Sequence, residues 1–199
     1  MSLYISKDGH VDAERVKVKI FPNIERGEMK VVNGIVLHQT DAPTAQSTFN
    51  SYTGKKPDGA HFLIDKDGTI YQTASLNRRT DHAGKLKSRC LATHTCTDAE
   101  FKTVQQMRNR YTDLSQREYA KSFPSRYPAN TDSIGIEIVG DAVGPKGQEV
   151  FESVNDAQNA SLKWLVRELA DTLNVSMREV YRHPEVSYKN LTEASTAKW

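Results

Sequence analysis

The chain is poor in cysteine, in net charge and in long apolar runs, and each shortage excludes something. Two cysteines in 199 residues rule out a disulfide-stapled miniature domain, and a chain of this length buries a core without staples. Cys90 and Cys96 stand in a polar segment; they can close a small loop or stay as thiols, and the sequence leaves both open. Lys and Arg number 27 against 25 Asp and Glu, a formal net charge of +2, which is too balanced to argue for a nucleic-acid partner. No apolar run approaches a membrane span, so no membrane insertion is expected. The opening MSLYISKDGHVDAERVKVKIF lacks the apolar core of about 7–15 residues that marks a secretory signal, so synthesis in the cytoplasm without such a leader is expected. There is no repeat and no low-complexity linker, and the length predicts one domain.

What is present is a series of short apolar strands that end on reactive side chains. In NGIVLHQTDAP, residues 33–43, Ile35, Val36 and Leu37 form an interior strand and His38 sits at its outgoing end. That end of a strand is where ligands collect in α/β folds. PTAQSTFNSYTG predicts a short helix between Pro43 and Gly54. GAHFLIDKDGTIYQTA predicts a hairpin, with His61–Ile64 against Thr69–Gln72 across Asp-Lys-Asp-Gly. Residues 75–96 read as a long irregular loop, and 97–122 as one or two surface helices.

In NTDSIGIEIVG the isoleucines 134, 136 and 138 face one way, and Ser133, Gly135, Glu137 and Val139 the other. Leu162, Leu165, Val166 and Leu169 form the stripe of an amphipathic helix. A short segment then ends at His183, before a loop with Lys189 and Glu193. The whole predicts an α/β fold: one domain with a central mixed β-sheet flanked by helices. Residues 1–32 are expected to be an N-terminal extension with an edge strand, VKVKIF, its lysines facing water. Residues 33–199 are expected to form the main domain, with an insertion at about 85–129.

His38 and His183 both follow strand-like segments. Two histidines and one oxygen or sulfur ligand, with a coordination position left open, describe a catalytic zinc site. Glu137 lies in a run of isoleucines, where a carboxylate is costly to bury unless it is used; burial raises its pKa towards that of a general base. These residues point to a zinc hydrolase.

GIVLHQT, GAHFLIDKDGTIYQ, DHAGK, NTDSIGIEIVG and HPEVSYK, in this order, resemble the type-2 N-acetylmuramoyl-L-alanine amidases, a family that shares its fold with phage endolysins and peptidoglycan recognition proteins. The resemblance covers roughly residues 33 to 195. It implies hydrolysis of the amide between N-acetylmuramic acid and L-alanine, with peptidoglycan or muropeptides as partners and Zn2+ as cofactor. His38 and His183 match the family's metal-binding histidines, Glu137 its base and Lys189 the lysine that faces the substrate carbonyl. The family's third ligand is an Asp or Cys two positions after that lysine. Leu191 stands there and cannot bind metal, so Glu193, two residues on, is the expected third ligand. Ala60, where phage-type members carry a tyrosine, His61 and His82 are expected at the substrate groove, with His61 packing or orienting a neighbour rather than binding metal. A catalytically inactive peptidoglycan-binding module of the same fold is the alternative. A leaderless amidase suits cell-wall recycling in the cytoplasm, a phage lysin, or an antibacterial effector acting on cell wall in a target cell's periplasm. The length of the insertion suits recognition of an inhibitor protein.

Overall fold

The computed structural model describes residues 3–199. The N-terminal segment is built from short pieces. β1 (Tyr4–Ile5) and β2 (Val11–Asp12) make a small hairpin. β3 (Val16–Val18) joins the edge of the main sheet, where exposed Lys17 and Lys19 blunt the open edge. β4 (Glu25–Glu28) pairs antiparallel with β8 (Arg78–Thr80), described below in chain order. Leu3, Val11, Val16 and Met29 are buried in the central core.

β5 (Gly34–Gln39) is buried along its whole length. α1 (Ala45–Ser51) starts where the Thr44 side chain accepts the Ser47 N–H at 3.1 Å, the usual cap of a helix start. β6 (Phe62–Ile64) and β7 (Ile70–Gln72) form the expected hairpin, with Gly68 at a φ of 84° in the turn. Residues 75–96 are more ordered than their composition suggests. They hold β8 and a single helical turn, α2 (Arg89–Ala92). The partner of β8 lies about 50 residues away in β4, a pairing no local pattern reveals.

α3 (Asp98–Gln106) and α4 (Tyr111–Tyr119) are the two expected surface helices. Glu100 of α3 pairs with Arg117 of α4 and, at 2.7 Å, with Lys121 just beyond it. Cys90 and Cys96 are joined by a disulfide, and Arg89 is anchored to Glu179 by an ion pair of 2.6 Å.

β9 (Ser133–Ile138) follows, then a small hairpin of β10 (Ala142–Val143) and β11 (Val150–Phe151). α5 (Asp156–Leu173) opens with a capping box of Asn155 and Gln158 and ends at Asn174 in the left-handed region. β12 (Val180–Arg182) runs directly into the short α6 (His183–Val186). No helix among the described residues is long and apolar enough to cross a membrane.

The six-stranded sheet has the order β12-β5-β9-β6-β7-β3. Neighbours are parallel except the β6–β7 hairpin. One face carries Ile35, Leu37, Phe62, Ile64, Ile134, Ile136 and Ile138, and packs on Leu162, Leu165, Val166 and Leu169 of α5. Burial of each such side chain contributes roughly 1.5–3 kcal/mol. The opposite face carries Val36, His38, Leu63, Gly135 and Glu137. There α1 covers Leu63 with Ala45 and Phe49, while Tyr127 and Val186 cover Val36. Between these two covers the face stays open, and the site lies in that gap.

Candidate active site

Strand register assembles the first part of the site. His38 of β5 is the register partner of Glu137 in β9. Arg182, the last residue of β12, pairs with Leu37, so His183 continues the same row beside His38. His183, at the start of α6 where β12 ends, therefore stands in one row with His38 and Glu137 of the adjacent parallel strands.

His38 Nδ1 and His183 Nδ1 are 2.8 Å apart. Glu193 Oε1 lies 2.9 Å from His183 Nδ1 and 3.5 Å from His38 Nδ1. Among the described residues these three, all buried, form a group that could hold a metal ion. The outer nitrogens of both rings are committed. His183 Nε2 donates to the Ala83 carbonyl at 3.2 Å. His38 Nε2 donates to His82 Nδ1 at 3.0 Å, and His82 Nε2 donates on to the Ser133 carbonyl at 3.3 Å. In neutral rings that pattern leaves both Nδ1 lone pairs bare and aimed at each other and at a carboxylate oxygen. Three converging lone pairs repel one another unless a proton or a metal cation lies between them. Donors around a tetrahedral zinc stand about 3.4 Å apart, so the triangle is close to that size and slightly tight. The donor set fits a metal.

The electrostatics agree. Burial, then the neighbouring His183, lowers the His38 pKa to about 4, so the ring is neutral near pH 7. Burial pushes Glu193 up, but hydrogen bonds from His183 and His38 outweigh it and hold the carboxyl at about 2; those bonds need a ring N–H, so without a metal a proton takes the place a cation would fill. Burial and the adjacent His38 ring hold His82 well below the ordinary histidine value. A cation site needs neutral imidazoles and an ionised carboxylate.

The supporting shell accounts for several small residues. A Cβ on Gly135 would stand 2.9 Å from the His82 ring and 3.1 Å from Ala60 Cβ. Gly135 therefore makes room for His82 against the sheet. Asn130 Oδ1 accepts the backbone N–H groups of His82 and Ala83 at 2.9 and 2.6 Å, clamping their loop. Gly84 has a φ of 64°, and a Cβ there would meet Lys189 Cε at 3.3 Å.

Glu193 comes from an irregular segment that the histidines' own neighbours hold in place. Gln39, next to His38, accepts the Ala194 N–H at 2.8 Å. Arg182, next to His183, donates to the Ala194 and Ala197 carbonyls at 3.0 and 2.9 Å. Leu191 is 78% exposed and carries no donor atom for a metal.

Glu137, Lys189, His38, His82, His183 and Glu193 all line one cleft of about 710 Å³. Glu137 Oε2 is buried without a hydrogen-bond partner. Burial and the charge of Glu193 push the Glu137 pKa up to about 8, against the pull of Lys189. His82 both lines the cleft and supports His38, a link its sequence position did not reveal. Ala60 and His61 are fully buried and stand behind the cleft wall. His61 Nε2 donates to the Arg78 carbonyl at 2.8 Å, and its Nδ1 accepts the Gly135 N–H at 3.1 Å. Their expected place at the substrate surface is corrected: His61 braces β9, and Ala60 leaves space for His82. Gln39, Arg182, Asn130 and Gly84 were missed, because their roles are contacts to distant backbone.

A three-donor cation site with a carboxylate and a lysine facing the same cleft is the equipment of a metal-dependent amide hydrolase. The family model described as N-acetylmuramoyl-L-alanine amidase matches residues 28–197, and the chain belongs to that family. It is an amidase of peptidoglycan. No curated protein matches the chain. Among solved structures it is similar to an AmpD derivative, at 17% identity over 98% of this chain and 96% of that one, with a TM-score of 0.57. It is similar to the catalytic domain of XlyA at 21% identity, over 87% of each chain, with a TM-score of 0.52. It is also similar to AmpDh3 from Pseudomonas aeruginosa, solved with an anhydromuramic pentapeptide. There the identity is 21% over 78% of this chain and 51% of that one, and the TM-score 0.52. At these identities the likenesses speak for the fold: the mixed α/β domain expected from the sequence.

Proposed function

We propose that this amidase is zinc-dependent and cuts the bond between the lactyl group of N-acetylmuramic acid and L-alanine. The observation that carries this is the convergence of His38 Nδ1, His183 Nδ1 and Glu193 Oε1 within one buried triangle, beside Glu137 in the same cleft. His38, His183 and Glu193 would hold the ion. Zinc bound there supplies a Lewis acid and lowers the pKa of water from 15.7 towards about 7.

The remaining steps belong to the protein. Glu137 takes the proton of the attacking water as the new C–O bond forms. Its raised pKa suits a group that must accept a proton and then release it. Lys189 Nζ faces the carbonyl oxygen and stabilises the negative charge that develops there. The C–N bond then breaks, and Glu137 returns its proton to the leaving nitrogen of L-alanine.

We infer action outside the cytoplasm, as a lysin or antibacterial effector. Cys90 and Cys96 are disulfide-bonded, and such bonds persist in oxidising compartments such as the periplasm.

The test is a digest of purified sacculi followed by mass spectrometry. Free stem peptides beginning at L-alanine, lost with EDTA and restored by zinc, are expected. Sacculus binding without any new amine would identify an inactive binding module instead. Products cut elsewhere would identify a different amide specificity.

A further inference from the structure

Three buried polar atoms lining the cleft have no hydrogen-bond partner: Thr48 Oγ1, the Tyr52 hydroxyl and Glu137 Oε2. The last belongs to the chemistry above. The other two come from α1 and its C-cap residue, four positions apart, so they share one face.

Neither side chain is loosely placed. The Tyr52 ring packs in the core with Ile24 and meets Phe21 edge-on, with ring centroids 5.5 Å apart. Thr48 is buried as well. A helical serine or threonine commonly turns its hydroxyl back onto the preceding turn. Ser51 does so onto the Thr48 carbonyl at 2.7 Å, and Thr103 onto Ala99 at 3.0 Å. Thr48 Oγ1 makes no such bond. Buried hydroxyls without partners are costly, and native proteins rarely keep them without use.

The chemistry of the pair defines what it can hold. Both groups are neutral; burial and the nearby Glu137 push the Tyr52 pKa up, so its proton stays available to donate. Two hydroxyls supply no charge to balance an anion or a cation. A neutral group with one acceptor and one donor matches two hydroxyls.

We propose that Thr48 and Tyr52 form a subsite for a secondary amide of the substrate other than the one cleaved. Tyr52 donates to its carbonyl oxygen and Thr48 Oγ1 accepts its N–H. This rests on the amidase reading above. The substrate carries such amides in two places, the acetamido group of the sugar and the peptide bonds of the stem.

Calorimetric titration tests this in the zinc-loaded, inactive Glu137→Gln protein. The probes are N-acetylmuramoyl-L-alanyl-D-isoglutamine and its N-deacetylated counterpart. Tyr52→Phe keeps the ring in its packing and removes only the hydroxyl; Thr48→Val does the same on the other side. Each is expected to weaken binding of the acetylated probe by about 3- to 10-fold, with unchanged zinc content and melting temperature. If the weakening disappears with the deacetylated probe, the sugar acetamido group is the one held. If it persists, a stem-peptide amide is held. Binding within twofold of the parent in both variants overturns the subsite while leaving the amidase reading intact. Should Tyr52→Phe unfold, Thr48→Val alone decides. A zinc-loaded parent that binds neither probe counts against the amidase reading itself, and the subsite falls with it.

Discussion

His38 and Glu137 are register partners across two adjacent parallel strands. Neighbouring strands lie about 4.8 Å apart, so the candidate metal-binding ring and the proposed proton-accepting carboxylate are held at a fixed offset by backbone hydrogen bonds. No flexible loop intervenes between them. Loss of the carboxylate's charge should therefore leave the metal untouched. Glu137→Gln is expected to keep its zinc stoichiometry by elemental analysis and to lose about 10²- to 10⁴-fold in turnover. Near-normal turnover would remove Glu137 from the reaction.

Glu193 is one of three donors in the candidate metal triangle. Glu193→Ala is expected to lose bound zinc after dialysis against a mild chelator, and with it the activity. Leu191→Ala, at an exposed position two residues earlier, should retain both. Equal zinc in the two variants would point to another ligand.

In the proposed metal site, His82 would act on the ion through its contact with His38. Its removal leaves the His38 Nε2–H without its partner, and losses of about 10- to 100-fold in metal affinity are typical for such second contacts. His82→Ala is expected to fall in that range by competition with a fluorescent chelator. Gly135→Ala should act in the same direction, because its methyl would occupy the edge of the His82 ring. Unaltered affinity in both would show that His38 needs no brace.

Acid should weaken the metal-free protein. The His38 pKa is depressed from 6.5 to about 4 in the fold. Between those values the unfolded chain binds more protons, so the contribution is full above about pH 6.5 and lost as pH falls through about 4. The Glu193 pKa is depressed from 4.5 to about 2; its contribution is full above about pH 4.5 and lost as pH falls through about 2. Both signs agree. Glu137, raised from 4.5 to about 8, has the opposite sign: its contribution is full below about pH 4.5 and lost as pH rises through about 8. Between about pH 4.5 and about 6.5 Glu137 and His38 therefore oppose each other. Calorimetry of EDTA-treated protein should show a melting temperature that is highest in that interval, declines below it as Glu193 and His38 protonate and declines above it, towards about pH 8, through Glu137. Zinc competes with protons for the same lone pairs, so its affinity should fall on acidification below about pH 6.5. A melting point that keeps rising below about pH 4.5 would contradict the assignment.

Much of this architecture was legible in the residues, for a physical reason. Strands β5 and β9 are short, apolar and strictly alternating, so the face of each side chain follows from counting. That is how His38 and Glu137 were found. Glu193 followed from the family resemblance, which places the third ligand near Leu191, a residue with no donor atom. Long-range contacts were not legible. The role of His82 depends on the empty side of Gly135, on a different strand. His61 and Ala60 precede β6 and read as surface residues, yet β9 and the His82 loop cover them. β8 has no apolar pattern of its own and is a strand only because β4 pairs with it. The bond between Cys90 and Cys96 depends on the approach of the two side chains, which spacing does not give.

The row from His183 through His38 to Glu137 has a further consequence. Side chains alternate across a strand, so a slip of one position between β5 and β9 would present Ile136 or Ile138 to His38 and drive the carboxylate into the oily layer under α5. Such a mispaired chain would offer an ion nothing to grip. Capture of a cation at the proposed site would thus reward a single alignment of the sheet, and the site would double as a gauge of whether the molecule has been assembled correctly.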